Sequence, residues 1–184
     1  MAEVIARGSA RPIRLAEASG RLFVLMAGVG LDARIIDGVS LGLKRLSGKL
    51  AYAVQTVVQL LCTRRREYDV TVDGVHYGAG SVIVANGRFY GGRFVCAPRA
   101  RLESPLLHVC LFTRPGRWNA LRYAVALLTG RLGRLKDYRI VEATALTIEG
   151  PAGDPVQADG DIITRLPVEI RLAEAPLYLI QPAA

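Results

Sequence analysis

Histidine and cysteine are scarce in this sequence, and their scarcity removes whole classes of chemistry. Only His76 and His108 are present, too few for a multi-histidine metal centre and a poor basis for a histidine-centred triad. Cys62, Cys96 and Cys110 are odd in number, far apart and form no C-x-x-C pair. Neither a disulfide framework nor a zinc site is indicated, and the three read as small buried hydrophobes in a reducing compartment. There is no G-x-x-x-x-G-K-[ST] loop, no H-E-x-x-H and no G-x-S-x-G, which demotes several common enzyme classes. Long apolar runs are missing too. The best one, "LAYAVQTVVQLLC" from Leu50 to Cys62, has 13 residues and includes two glutamines, too short to cross a hydrocarbon layer ~30 Å thick. The opening "MAEVIARGSARPIRL" has no apolar core ahead of its charges, so no secretory signal is visible and the cytoplasm is the expected setting.

What is abundant is hydrophobic and positive. Of 184 residues, 51% are hydrophobic, enough for one domain that buries roughly 70% of its unfolded surface. The net charge of +8 is carried by arginine-rich segments: "TRRRE" (63–67), "GRFYGGRFVCAPRARL" (87–102) and "RPGRWNALRYAVALLTGRLGRLKDYR" (114–139). Such a field attracts phosphates, on nucleotides, nucleic acid or anionic lipid heads alike, and a surface that is merely soluble produces it as well.

Periodicity then divides the chain. "RPIRLAEASGRLFVLMAGVG" reads as two strands around a Ser19-Gly20 turn, and residues 31–66 as two helices, the second capped by Ser47 and ended by Arg64 to Arg66. "YDVTVDGVHY" alternates around Asp73-Gly74, a hairpin signal. "AGSVIVANG" and "LLHVCLF" are further strands, with a Gly-, Arg- and Pro-rich loop between them, and Trp118 to Leu128 is a helix stopping near Gly130. The remainder, from "YRIVEATALTIEG" to "PLYLIQP", is mostly strand. The expectation is a mainly β (α+β) single domain over 1–184, a sandwich of largely antiparallel sheets with about three helices.

Three short stretches invite a functional reading. "AGVGLDA" places Gly28, Gly30 and Ala33 at the G-x-G-x-x-A spacing of dinucleotide sites, but no acid follows on a second strand, and tight packing of backbone against the next helix explains the glycines better. "NGRFYGG", Asn86 to Gly92, is either a flexible Asn-Gly turn or a loop whose missing side chains admit a phosphate or headgroup. "PVQADGDIITRLP" carries two carboxylates, Asp159 and Asp161, around one glycine. A hairpin needs only one of them. On an extended segment, residues two apart share a face and could serve one cleft, one accepting a hydroxyl proton and the other orienting magnesium.

Taken in order, "FVLMAGVGLDARII", "LKRLSGKLAYAVQTV", "VIVANGRFYGGRFVCAPRARL", "LLHVCLF" and "VQADGDIITRLPVEIRLAEAPLYLIQP" resemble the second domain of bacterial diacylglycerol kinase and sphingosine kinase type lipid kinases. The most specific matches are N-G-x-x-Y-G-G with the following A-P-x-A, and Q-A-D-G-D. In that family a first α/β domain with a G-G-D-G-T signature binds ATP. No such signature occurs here, so the resemblance implies that the ATP-binding half is absent and that ATP and magnesium would come with it. By the same resemblance Asp159 is the general base toward a lipid hydroxyl, Asp161 faces the nucleotide and its magnesium, and Asn86, Gly91 and Gly92 line the interdomain cleft. Where the family reads L-D-D-G, this chain reads "LESP", with Ser104 and Pro105 after Glu103, so no intact metal site is expected there.

The resulting expectation is the carboxy-terminal domain of an ATP-dependent lipid kinase, inactive alone and made whole by a separately encoded ATP-binding domain or by a longer chain of which this is a piece; that domain or a homodimer is the expected protein partner. The alternative is a non-catalytic lipid-binding or regulatory module derived from that family. The partners are a lipid substrate and, through the basic helix from Arg117 to about Arg134, an anionic membrane surface at the cytoplasmic periphery. A helix that packs on the sandwich with a solvated arginine rim is the competing account. Nucleic acid is not expected, because only charge speaks for it.

Overall fold

Three tight turns set the hairpins. In the computed structural model, which describes residues 8–30, 33 and 65–181, Ser19-Gly20, Asp73-Gly74 and Asp159-Gly160 all take left-handed backbone, with φ of 47° and 83°, 44° and 85°, and 48° and 98°. Consecutive positive φ values match the twist of a two-residue hairpin, and Asp-Gly tolerates them best. The turns join β2 (Ala16–Ala18) to β3 (Arg21–Phe23), β5 (Tyr68–Val72) to β6 (Val75–Ala79), and β13 (Pro155–Ala158) to β14 (Asp161–Arg165).

With β4 (Met26–Val29), β7 (Ser81–Ala85), β10 (Leu107–Phe112), β11 (Tyr138–Ala143), β12 (Ala145–Glu149) and β15 (Val168–Leu172), these strands form two six-stranded antiparallel sheets. One has the order β11-β10-β7-β4-β13-β14 and the other β3-β2-β15-β12-β5-β6. Their inner faces meet in one core that includes Val29, Tyr68, Val82, Val84, Leu107, Leu111, Ile148 and Ile170. The first sheet is covered on its outer face too, by α1 (Arg117–Leu128) and the loop around Ala97. That explains β10: all six of its residues are buried, odd positions against the other sheet and Cys110 and Phe112 against the helix side. Phe112 meets Tyr123 edge-on at 5.0 Å, and the Tyr123 hydroxyl donates to Asp137 at 2.7 Å.

Two expected strands are each divided between the sheets. "RLFVLMAGV" leaves the edge strand β3, bends at Val24-Leu25 and enters the interior of the other sheet as β4; "YRIVEATALTIE" leaves the edge strand β11, bends at Thr144 and enters as β12. Unbroken apolar runs hide these bends, because both layers ask for the same residue types. The helix count differs as well: among the described residues there is one α-helix and a 3₁₀ turn at Leu132–Arg134. The two helices expected over 31–66 fall almost wholly on residues outside the described ones. α1 ends as expected at Gly130, with φ 66° and a bond from Arg131 N–H to the Ala126 carbonyl at 2.7 Å, which closes the last turn.

Two small ribbons complete the fold. β8 (Phe89–Tyr90) pairs with β9 (Phe94–Val95), and β1 (Ser9–Ile13) pairs with β16 (Leu177–Gln181). Glycine matters sterically at Gly80, where a Cβ would lie 2.5 Å from Pro115 Cα. At Gly30 it would meet Ser81 Oγ at 2.9 Å, so among the described residues that glycine serves contact with a neighbouring strand.

Candidate functional site

Register places the sequence-predicted residues at one rim. Met26 pairs with Ala85, Ala158 with Ala27 and with Asp161, and His108 with Ala85. The ends of β7 and β13 and the starts of β4, β10 and β14 therefore lie together. Asn86, the Asp159-Gly160 turn and Asp161 all emerge from that edge.

Asp159 is held by the bend between the sheets. Its Oδ2 accepts the Val24 N–H at 2.6 Å, and its Oδ1 accepts the N–H groups of Leu25 at 2.9 Å and Met26 at 3.0 Å. The Asp159 N–H donates to the Met26 carbonyl at 3.0 Å. The physical cause is plain: a chain passing between layers leaves ladder amides without partners, and a nearby carboxylate satisfies three of them. Asp73 repeats the device at the other bend, accepting Thr144 Oγ1 at 2.9 Å, Ala145 N–H at 3.2 Å and Thr144 N–H at 3.3 Å. These bonds, with that of the Thr144 hydroxyl foremost, hold the Asp73 carboxyl below its ordinary value. The reading of Asp159 and Asp161 as equivalent positions of one extended segment is thus corrected. Asp159 occupies a left-handed turn and Asp161 opens the next strand.

Asn86 grips the same bend from the other side. Fully buried, its Nδ2 donates to the carbonyls of Arg14 and Val24, both at 2.8 Å, and its own N–H donates to the Leu25 carbonyl at 2.9 Å. Oδ1 is a buried acceptor without a partner among the described residues. Gln157 braces the turn, its Oε1 accepting Gly160 N–H at 3.1 Å. The structure therefore brings Asn86 and Asp159 together through Val24 to Met26. Asp161 is exposed, and its side chain makes no hydrogen bond or ion pair among the described residues. Gly91 and Gly92 shape the tip of the β8-β9 ribbon, with φ of 56° and 85°. Arg88 and Arg93 stack over Phe89 and Phe94 on either side.

Beside this bend opens a cleft of about 700 Å³ lined by Leu25, Arg88, Phe89, Arg99, Arg101 and Glu103. A second hollow of about 560 Å³ shares Arg101 and Glu103 and adds Arg11 and Arg14. Such a basic hollow suits a phosphate-bearing or polar headgroup. The phosphate-attracting segment 87–102 already holds Arg88, Arg99 and Arg101; Arg14 joins them only through the fold, since nothing in spacing connects it to that segment. His108, in β10, is buried, and burial pushes its imidazole below the ordinary value. Among the described residues no group of three or more His, Cys, Asp or Glu could hold a metal ion, and no helix is long and apolar enough to cross a membrane.

Comparison with known proteins agrees with this architecture. The chain is 27% identical over 180 residues to the "Probable lipid kinase YegS-like" of Pseudomonas aeruginosa, covering 95% of this chain and 58% of that protein. It is 23% identical over 185 residues to the "Diacylglycerol kinase" of Bacillus subtilis, covering 98% and 60%. It thus spans about three fifths of the length of the curated relatives it matches. A crystal structure of a diacylglycerol kinase from Bacillus anthracis str. Sterne superposes with TM-score 0.67 at 25% identity, over 93% of this chain and 56% of that one. Another structure from that organism reaches TM-score 0.73 at 22% identity, which speaks to fold alone. The family model described as the YegS C-terminal NAD kinase beta sandwich-like domain matches residues 26–181, and the chain belongs to that family.

Proposed function

We propose that this chain is the sandwich half of an ATP-dependent lipid kinase, in which the rim described above faces an ATP-binding domain of the G-G-D-G-T kind. The observation that carries the reading is the convergence on one bend: Asp159 takes its amides, Asn86 takes its carbonyls, and the arginine-lined cleft opens at Leu25. In the reaction a lipid hydroxyl oxygen attacks the γ-phosphorus of ATP, ADP leaves, and the hydroxyl proton passes to a carboxylate. A base needs an unengaged lone pair within reach. Asp159 already accepts three backbone N–H groups and keeps one lone pair, on Oδ2, whereas the Asp161 carboxylate is wholly unengaged among the described residues. We therefore assign Asp159 to positioning and Asp161 to direct contact with the reacting groups, with Asn86, Gly91 and Gly92 shaping the substrate side. The described residues do not fit a magnesium or ATP site by themselves: Asp161 offers one carboxylate where a hard cation wants several oxygens. Nucleotide and metal belong to the other domain in this reading, and the chain alone is inactive.

The test joins this chain to the matching amino-terminal segment of the Bacillus subtilis relative and follows phosphate transfer to diacylglycerol. Asp161→Asn should lower kcat about a hundredfold or more with an unchanged melting temperature. Asp159→Asn should chiefly lower stability, by about 1–3 kcal/mol. Full activity in Asp161→Asn sinks the assignment. A clamp at Asp159 is equally what a sandwich without chemistry would keep, so lipid binding with no transfer in the joined protein would favour the regulatory module.

A further inference from the structure

α1 is apolar on the side that faces away from the protein. Its inner face is fixed by Tyr123 and Ala126, both buried against the sheet. At 100° per residue, Trp118, Leu121, Val125 and Leu128 fall within one arc of about 80° on the opposite side. They are 71%, 43%, 50% and 60% exposed. Scattered exposed apolar residues are ordinary, but four large ones in line on a single helix are a patch that asks for a cover.

The surroundings say what kind of cover. Between Thr113 and Tyr138 the chain carries Arg114, Arg117, Arg122, Arg131, Arg134 and Lys136 against the single acid Asp137. Asp137 is already taken by Arg114, Arg122 and the Tyr123 hydroxyl. Arg117 lies over the Trp118 ring at 5.7 Å, and Arg131, Arg134 and Lys136 are exposed without an ion-pair partner among the described residues. An apolar stripe rimmed by unpaired cations, with a tryptophan at one end, complements the boundary between acyl chains and anionic headgroups. A protein partner would have to supply both a hydrophobic groove and a ring of acids.

We propose that α1 is a membrane-docking element that seats Trp118, Leu121, Val125 and Leu128 in the interface of an anionic bilayer, with the arginines at its two ends on the lipid headgroups. The proposal does not depend on the kinase reading, because docking needs neither ATP nor turnover.

Trp118 is the sole tryptophan, so emission excited on the red edge, where tyrosine does not absorb, reports on this helix alone. The full chain is titrated with vesicles of phosphatidylglycerol mixed into phosphatidylcholine, and with vesicles of phosphatidylcholine only. With the anionic vesicles the emission should move to shorter wavelength and be quenched by bromine-labelled acyl chains. Leu121→Asp combined with Leu128→Asp should abolish the response while leaving the circular dichroism spectrum unchanged. If that pair fails to fold, Val125→Asp followed by vesicle flotation makes the same test. Arg131→Gln and Arg134→Gln should each weaken vesicle binding about fivefold. An unmoved emission, or equal binding to neutral vesicles, overturns the proposal. So does an emission shift that follows protein concentration without lipid, which would give the face to a second copy of the chain.

Discussion

Asp73 and Asp159 are separated by more than eighty positions, yet each opens an Asp-Gly turn and each turns its carboxylate onto the bend where another strand changes sheets. The Asp73 carboxyl titrates below its ordinary 3.8. A depressed carboxylate stabilises the fold fully above its unfolded value, and that contribution is lost as pH falls through the folded one. Replacing Asp73 with Ala should therefore lower the melting temperature at neutral pH by about 2–4 °C, and the gap from wild type should close below 3.8. A gap that persists in strong acid would show that the turn and not the charge matters. The Asp-Gly hairpins themselves were legible, since few residue pairs accept two positive φ values. What the carboxylates hold was not, because a bend inside "RLFVLMAGV" leaves no mark in composition.

At the level of elements, α1 is tied to the sheet by a polar knot and a steric one. Tyr123→Phe removes the hydroxyl that donates to Asp137 and accepts the Arg114 N–H at 3.2 Å. It should cost about 1–2 kcal/mol, read as a lower denaturant midpoint at constant slope. Gly80→Ala would push a methyl to within 2.5 Å of Pro115 Cα, a backbone atom just ahead of the helix. The overpacking should cost about 1–3 kcal/mol, and a neutral result would mean that the 113–116 link is free to yield. The helix and the Asp-Gly turns were readable from period and punctuation, while the bends that split "RLFVLMAGV" and "YRIVEATALTIE" into two strands each were not. The outward apolar stripe was readable only in part: Trp118, Leu121, Val125 and Leu128 mark an amphipathic helix, but which side meets the protein is decided by Tyr123 and Ala126 in the folded chain.

For the molecule as a whole, a β-sandwich follows from many short alternating strands with frequent turns, and the structure bears this out. Sheet membership was not legible, because both layers draw on the same alternating residues. The pairing of residues 9–13 with 177–181 likewise joins stretches that nothing local connects. The candidate site divides in the same way: its motifs stand out as short strings, Arg99 and Arg101 among them, while Arg14 and Leu25 join them only through the topology.

The two clamped bends, both at the same end of the sandwich, also govern how the layers can breathe. Sliding one sheet over the other would pull on the amides of the crossing segments, those of Val24, Leu25 and Thr144, which a carboxylate fixed to one sheet holds. In deuterated solvent these protons should thus be replaced as slowly as those of interior strands, although they sit in connecting segments. The glycine-bearing tip at residues 91–92 should label within the dead time. Any widening of the cleft then has to come from its loops, with the laminate beneath staying locked.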